Sequence, residues 1–371
     1  MALENLDIKK IRKQFTEICE AEKGELDKQR KIAVDLRRNL VDLSLKEWNG
    51  ERVSFVAADG GDSRIRLDSF SAETPAVVEL VRIADSDGKK IITAPVAGAA
   101  DRVNFDEINN LDAVKELSKD LGCGKISEWS PYKKRSRSEQ MRTYREIVEW
   151  AVFYKQLKIC ESDTLVVRDG ALRTKVLKPD IFSAMNDEIQ KVIRNKSNNC
   201  NVYCVGVAKQ TVLLNRLHLA MSMENVFGDR AQYIPVPYEI AEKFYDHRWL
   251  DTMDTRRYGG YNSLANMYLV KFGEHPLDPV WSVDIPTWQE EEADKILSYL
   301  AWDARPGFPI PDFPMCIQKA HEHAKIGGIE MAYLQELLLD EIQKNMSNVD
   351  SEKILRARYL TEDVSTRRYS K

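Results

Sequence analysis

The segment that decides the fold is Ser54-Phe55-Val56-Ala57-Ala58-Asp59-Gly60-Gly61-Asp62. A short apolar run that is bounded by glycines predicts a buried strand rather than a helix. A strand that ends at Asp59 would carry this carboxylate to the mouth of a cleft. Asp59 is therefore the first candidate acid of a functional site.

A second segment repeats this pattern, Thr164-Leu165-Val166-Val167-Arg168-Asp169-Gly170. One Asp-Gly pair alone is typical of a turn. Two such strands, with a glutamate-bearing helix between them, favour a site for divalent metal ions. That helix is predicted over residues 139–157. Glu146 and Glu149 share one of its faces, and Glu149 is preferred as the ligand over Glu146 and Glu139.

The order of predicted elements over residues 52–207 is strand, strand, strand, helix, strand, helix, strand, where the two helices are the long ones at 139–157 and 179–194. The strands are expected at residues 52–58, 75–84, 90–96, 164–168 and 201–207, and the helices at 104–121, 139–157 and 179–194. Two further strands are expected at 266–272 and 280–285, and further helices at 211–223, 288–302, 315–325 and 329–342. This order predicts an α/β protein with an RNase H-like mixed sheet that is flanked by helices.

The ends of the chain are predicted to be helical or polar. Apolar residues spaced by three and four over residues 5–47 indicate an N-terminal helical arm, residues 1–48. This arm either packs on the core or serves as a dimerisation or partner-docking arm. A single α/β domain that carries the candidate site is expected over residues 49–345, with a C-terminal helical region and a polar tail over 346–371.

Composition narrows the class of protein. The 371 residues carry a net charge of −4, which argues against a uniformly basic nucleic-acid binder but allows a local basic groove. Six cysteines follow no disulfide or zinc spacing, which predicts reduced thiols in a cytoplasmic protein. No apolar run reaches the roughly 18 residues that a membrane span needs. We expect no membrane association.

Other basic and histidine residues complete the candidate site. The linker residues Lys133, Lys134, Arg135 and Arg137 are expected to contact DNA phosphates, although a charge run is more commonly a solvated loop. Lys209 follows a strand, and it either holds the scissile phosphate or is an ordinary surface lysine. His321 follows a proline-rich segment, and metal ligation or proton transfer is weighed against a structural hydrogen bond. His323 faces elsewhere on the same helix.

The chain resembles the NurA family of DNA-repair nucleases. The resemblance rests on Asp59-Gly60, on Arg-Glu-Ile-Val-Glu-Trp-Ala at 145–151, and on Asp169-Gly170-Ala171-Leu172. It also rests on Val-Gly-Val-Ala-Lys at 205–209 and on Phe313-Pro314 leading to Ala320-His321. These short motifs span most of the chain in the order of the family.

The resemblance implies an RNase H-like core and a manganese-dependent nuclease, with magnesium as an alternative ion. The substrate would be DNA ends, with single strands as a further target, cut by a two-metal mechanism. It also implies a homodimer that works with a HerA-type hexameric ATPase in DNA end resection or anti-phage defence. The metal carboxylates of the family fall on Asp59, Glu149 and Asp169, and its histidine falls on His321.

Two positions depart from the family pattern. Gly61 stands where the family usually has serine, and Phe313 stands where it has a tyrosine. The phenol and its hydrogen bond are therefore missing. A different class of function, a catalytically weak or inactive dimeric scaffold that regulates an ATPase ring, is the alternative. The three retained acids speak against it. An Argonaute-like protein would need guide-binding domains, for which the chain has no room.

Overall fold

The fold is a mixed sheet with helices on both faces. The structure is a computed structural model that describes residues 8–43, 53–67, 76–87, 90–99, 106–130, 137–244, 256–258, 261–305 and 307–344. The strands in these ranges are β1 Val41–Asp42, β2 Ser54–Leu67, β3 Ala76–Asp85, β4 Lys90–Ala99, β5 Thr164–Asp169, β6 Arg173–Thr174, β7 Val202–Ala208, β8 Gln232–Pro235, β9 Arg256–Tyr258, β10 Tyr261–Ser263, β11 Ala265–Lys271 and β12 Val280–Pro286.

The helices alternate with these strands. They are α1 Ile8–Arg37, α2 Asp106–Asn109, α3 Asp112–Asp120, α4 Arg137–Ile159, α5 Pro179–Lys196, α6 Val212–Met223, α7 Tyr238–Phe244, α8 Ala293–Ala304, α9 Met315–Ala324 and α10 Gly328–Lys344, with short 3-10 helices at Ile126–Glu128 and Thr287–Glu292. The helix predicted over 104–121 is thus divided into α2 and α3. None of the helices in the described ranges is both long and apolar enough to cross a membrane.

Nine strands form the main sheet, in the order β1-β8-β11-β12-β7-β5-β2-β3-β4. The central pairs β2–β5 and β5–β7 are parallel, whereas the meander β2-β3-β4 and the pairs that involve β12, β11, β8 and β1 are antiparallel. A small second sheet has the order β6-β10-β9. The mixed sheet and its flanking helices confirm the predicted α/β class, and all seven predicted strands are present.

Side chains alternate between the two faces of the central strands, as the period of two in a strand requires. Val166 of β5 belongs to a cluster with α4 and α5, whereas Leu165 and Val167 belong to a cluster with α8 and α9. A third cluster joins α1 and α6 to β8 and β11. The helices that carry Glu149 and His321 therefore lie on opposite faces of the sheet.

Strand β2 does not end at Asp59, which corrects the expectation from the glycine pair. The strand continues through Gly60 and Gly61 to Leu67. Its parallel pairing with β5 covers Ser54–Ala58 and stops there, whereas its antiparallel pairing with β3 begins at Ala58 and continues to Leu67. Asp59 thus lies within β2, directly after the point where this strand loses its neighbour β5. That gap, rather than a turn, exposes one side of β2 there.

The N-terminal helix is shorter than the sequence predicts. Helix α1 runs through Gly24 without a break but ends at Arg37. Val41–Asp42 then pairs with β8 as an edge strand, so the helical prediction is wrong over residues 38–43, and residues 44–47 lie outside the described ranges. Leu36, which the apolar pattern assigned to the buried face of the helix, is buried against α6. The pairing with β8, a contact distant in sequence, ends the helix.

Two predicted features lie outside the described residues. The linker residues Lys133, Lys134 and Arg135 fall in the gap at 131–136, and Arg137 is the first residue of α4. The polar tail predicted over 346–371 also lies beyond the described ranges. The DNA-contacting role of the linker stays a prediction.

Candidate metal centre

Three predicted residues from three separate elements meet at one point. Asp59 of β2, Asp169 of β5 and His321 of α9 each offer a ligand atom, and these atoms lie within 4.8 Å of one another. Asp59 is buried, Asp169 is partly buried and His321 is exposed. Two carboxylate oxygens and one imidazole nitrogen form a donor set that suits a hard or borderline divalent cation.

Asp59 is held in place from two directions. Its Oδ1 accepts a hydrogen bond of 2.7 Å from the backbone N–H of Gly60. Its Oδ2 lies 2.6 Å from Nδ1 of His321. These two contacts fix the carboxylate between its own strand and helix α9. The fold therefore brings His321 of α9 into contact with Asp59 of β2.

Asp169 is the last residue of β5, as predicted. Its Oδ2 accepts a hydrogen bond of 3.2 Å from Nζ of Lys209, which follows β7. Burial raises the pKa of the Asp169 carboxyl, the nearby charge of Asp59 raises it further, and Lys209 opposes both effects. The site thus holds two acids whose charges repel each other. A cation between them would relieve that repulsion.

Lys209 is positioned by an aromatic ring as well as by Asp169. Its Nζ lies 5.0 Å from the centroid of the Phe313 ring, within the range of a cation–π contact. Phe313 is fully buried, and its ring packs on Trp281 with the centroids 4.7 Å apart. The residue that replaces the tyrosine of the family pattern is therefore part of the support of the site.

Glu149 lies beside the group of three rather than within it. Its Oε1 is 3.4 Å from Nε of Arg145, and its Oε2 is 3.5 Å from Nη2 of Arg168. Burial raises the pKa of Glu149 to about 8, although Arg168 and Arg145 lower it, and the charge of Asp59 adds to the increase. Glu146 instead accepts a hydrogen bond from the hydroxyl of Thr174.

The two glycines after Asp59 permit close approaches on the two sides of β2. A Cβ at Gly60 would lie 2.6 Å from Oε1 of Glu149, and a Cβ at Gly61 would lie 2.3 Å from the carbonyl oxygen of Ala324. Any side chain at Gly61 would meet the backbone of α9. Gly61 is thus a requirement of this packing rather than only the loss of a hydroxyl.

The loop after Asp169 is held by three side chains that no sequence motif indicated, those of Arg168, Arg173 and Asp284. Arg168 donates a hydrogen bond of 2.7 Å to the carbonyl of Ala171, and its guanidinium lies 4.5 Å from the Trp150 ring centroid. The buried Asp284 accepts hydrogen bonds from the N–H of Leu172 at 3.0 Å and from Nε of Arg173 at 2.9 Å. The contacts of Asp284 are long-range, because they join residues 112 and 111 positions apart in the chain. The only local signal was an arginine directly before a candidate acid.

Helix α9 receives its N-terminal cap from the preceding helix. Its own N-cap residue, Pro314, has no capping side chain. Asp303 of α8 replaces it, because its Oδ2 accepts a hydrogen bond of 2.9 Å from the N–H of Cys316. A carboxylate at this point satisfies a free backbone donor and complements the helix dipole. The helix that carries His321 is thereby tied to α8.

No protein-family model matches the chain, and no curated protein matches it in sequence. Among solved structures, it is similar to a crystal structure of NurA bound to dAMP and manganese, with 12% identity, a TM-score of 0.50, and coverage of 94% of this chain and 99% of that chain. The chain has the NurA fold. Structures of NurA with manganese and of the NurA nuclease from Sulfolobus solfataricus are similar over 90% and 91% of this chain and 98% of each of theirs, both at 12% identity, with TM-scores of 0.43 and 0.40.

The NurA fold confirms the fold class predicted from the sequence. Within this fold, Asp59, Asp169 and His321 are brought together, Lys209 contacts Asp169, and Glu149 lies against two arginines. The predicted residues of the site therefore come from two strands, two helices and the residue that follows β7, all of them distant in sequence. Their roles in binding and catalysis stay a proposal.

Proposed function

We propose that this protein is a metal-dependent DNA nuclease that hydrolyses phosphodiester bonds. The observation that carries the proposal is the meeting of Asp59, Asp169 and His321 within 4.8 Å in a nuclease fold. Mn²⁺ is the proposed ion, with Mg²⁺ as the alternative. DNA ends are the proposed substrate, and internal cleavage of single strands is a further activity. The likeness to a NurA structure that contains dAMP and manganese supports the choice of Mn²⁺ as the ion and of DNA as the substrate.

The residues present fit a divalent cation. Two carboxylates and an imidazole supply oxygen and nitrogen donors, and burial raises the pKa of Asp169 next to the charge of Asp59. In the two-metal form of the proposal, Glu149 adds the third carboxylate. When bound, such ions lower the pKa of a water molecule and stabilise charge on phosphate oxygens.

Each candidate residue of the site and of the linker has a proposed role in the reaction. Asp59 and Asp169 hold the ion, and His321 either completes its ligands or moves a proton through a ring nitrogen. The ammonium of Lys209, which is fixed by Asp169 and the Phe313 ring, offers a positive charge to the scissile phosphate. The proposed linker contacts, from Lys133, Lys134, Arg135 and Arg137, would bind the DNA backbone electrostatically.

The proposal also includes partners and compartment. A homodimer that works with a HerA-type hexameric ATPase, in DNA end resection or anti-phage defence, is the proposed assembly. The exposed apolar residues of α1, which include Phe15 and Ile18, support a docking role for this helix. The six cysteines are free thiols, which supports a reducing, cytoplasmic location.

The test is cleavage of end-labelled linear DNA in the presence of Mn²⁺, with and without the ATPase. Wild-type protein should digest the DNA, and Asp59→Asn and Asp169→Asn, which remove charge but keep shape, should abolish digestion. Asp163→Asn is the matched control, because Asp163 lies just before β5 and binds the N–H of Asn201 at 2.7 Å, away from the site.

The outcomes separate the alternatives. Equal digestion by wild type and Asp59→Asn would mean a contaminating nuclease or a wrong site. No digestion by any variant, even with the ATPase present, would favour the scaffold function instead.

A further inference from the structure

The position of His321 depends on the last turn of α9. The imidazole is 53% exposed, so burial alone does not hold it against Asp59. Its backbone carbonyl accepts a hydrogen bond of 2.9 Å from the N–H of Lys325, which closes the last turn of the helix. Whatever fixes Lys325 therefore fixes the backbone from which His321 extends.

A buried arginine on β3 holds this turn. The Arg82 side chain is 7% exposed, and its Nη1 donates a hydrogen bond of 3.1 Å to the carbonyl of Lys325. The same guanidinium binds both carboxylate oxygens of Glu330, at 3.0 and 2.8 Å. Glu330 lies in the first turn of α10 and accepts a hydrogen bond of 3.1 Å from the N–H of Gly327. One side chain thus secures both ends of the connection from α9 to α10.

The strand that carries Asp59 provides the surface on which this turn rests. The carbonyl of Ala324 lies where a side chain of Gly61 would be. Asp59 is two residues before Gly61 on the same strand, and β3 pairs Arg82 directly with Gly61. The acid, the surface beneath α9 and the arginine that holds α9 therefore belong to one rigid pair of strands.

We propose that Arg82 is a positioning residue of the metal centre. With Glu330 it forms a latch, defined by Arg82, Glu330 and the Lys325 carbonyl, that holds α9 on β2 and β3 with His321 against Asp59. A bidentate guanidinium–carboxylate pair is strong and directional, so it suits this role. The inference rests on the proposed function, since it assigns a support to the same metal site.

The test measures Mn²⁺ affinity by calorimetry and electron paramagnetic resonance on the full chain. Arg82→Gln should weaken Mn²⁺ binding about 10-fold, the loss typical of residues that orient a metal ligand. Arg82→Lys keeps the charge but cannot bind both partners, so it should give an intermediate loss. Arg30→Gln, which breaks the remote ion pair of Arg30 with Glu224, is the matched control and should bind as wild type does.

A double variant distinguishes positioning from a general loss of stability. If Arg82 acts through His321, the variant that combines Arg82→Gln and His321→Ala should bind Mn²⁺ no more weakly than His321→Ala alone. Additive losses, or wild-type affinity in Arg82→Gln, would overturn the proposal.

Hydrogen exchange supplies a readout that does not depend on metal. The amide of Lys325 should exchange faster in Arg82→Gln than in wild type or Arg30→Gln, and unchanged exchange would overturn the latch. Wild-type protein that bound no Mn²⁺ would contradict the proposed function, and the exchange rates would still decide whether Arg82 holds α9.

Discussion

At the scale of single residues, Phe313 shows how a departure from a family pattern can acquire another role. The sequence indicated only that a phenol was missing. In the structure the ring is buried between Trp281 and the ammonium of Lys209. A ring face attracts a cation without any hydroxyl. The residue therefore contributes to the site through its face.

We expect Phe313 and Lys209 to be energetically coupled. Phe313→Leu should lose the cation–π contact, so a double-mutant cycle with Lys209→Met should give a coupling of roughly 0.5–2 kcal/mol. The measurement is the free energy of unfolding in urea for wild type, both single variants and the double variant.

Phe313→Tyr is the control for this cycle, because it keeps the ring face. The cycle of Phe313→Tyr with Lys209→Met should therefore give a coupling energy near zero. A coupling of zero between Phe313→Leu and Lys209→Met would show that the ring only fills space.

The glycines after Asp59 mark the limit of what local sequence can predict. The pair predicted a turn, because glycine is the usual residue of turns. Instead Gly60 and Gly61 remain in the strand and make room for Glu149 and for the backbone of α9. Both neighbours are distant in sequence, so no local pattern could have identified them.

At the scale of secondary structure, the apolar patterns predicted the central strands and long helices well. Helix α4 was expected over 139–157 and runs from Arg137 to Ile159. The short strands β1 and β8 were missed because two and four residues carry too little pattern. Their existence depends on pairing with distant strands.

We expect the cap from Asp303 to matter for α9 and hence for His321. Asp303→Ala should leave the N–H of Cys316 without its partner and cost roughly 1 kcal/mol of stability. Asp303→Asn keeps an oxygen acceptor and should cost less. Thermal unfolding with and without Mn²⁺ measures both effects.

The effect of Mn²⁺ on the Tm gives a second readout for this prediction. A frayed α9 should bind Mn²⁺ more weakly, so Asp303→Ala should also show a smaller increase of Tm on addition of Mn²⁺. Identical Tm values for Asp303→Ala and wild type would mean that solvent replaces the cap without loss.

At the scale of the whole molecule, helix α1 packs on the rest of the fold through only part of its length. Its second half packs on α6 through Ala33 and Leu36. In its first half, Ile8, Phe15 and Ile18 are 53%, 60% and 55% exposed. Phe15 is seven residues after Ile8 and three before Ile18, so these side chains form one apolar face that favours a partner.

We expect negative charge on this face to prevent self-association. The variant Phe15→Glu/Ile18→Glu should elute as a monomer in size-exclusion chromatography with light scattering, whereas wild type should be a dimer. The control is Lys13→Gln/Thr16→Glu, which changes the net charge by the same amount on other faces of α1. A dimer that persisted in the first variant would exclude α1 from its interface.

The contact between His321 and Asp59 has a consequence for the order in which the protein is built. The two residues are separated by 262 positions in the chain. Contacts between such distant segments close the largest loops and form slowly. During synthesis on the ribosome, the strands that carry Asp59 and Asp169 are finished long before α9 emerges. A nascent chain therefore holds an incomplete donor set, and the site can be completed only after α9 has emerged.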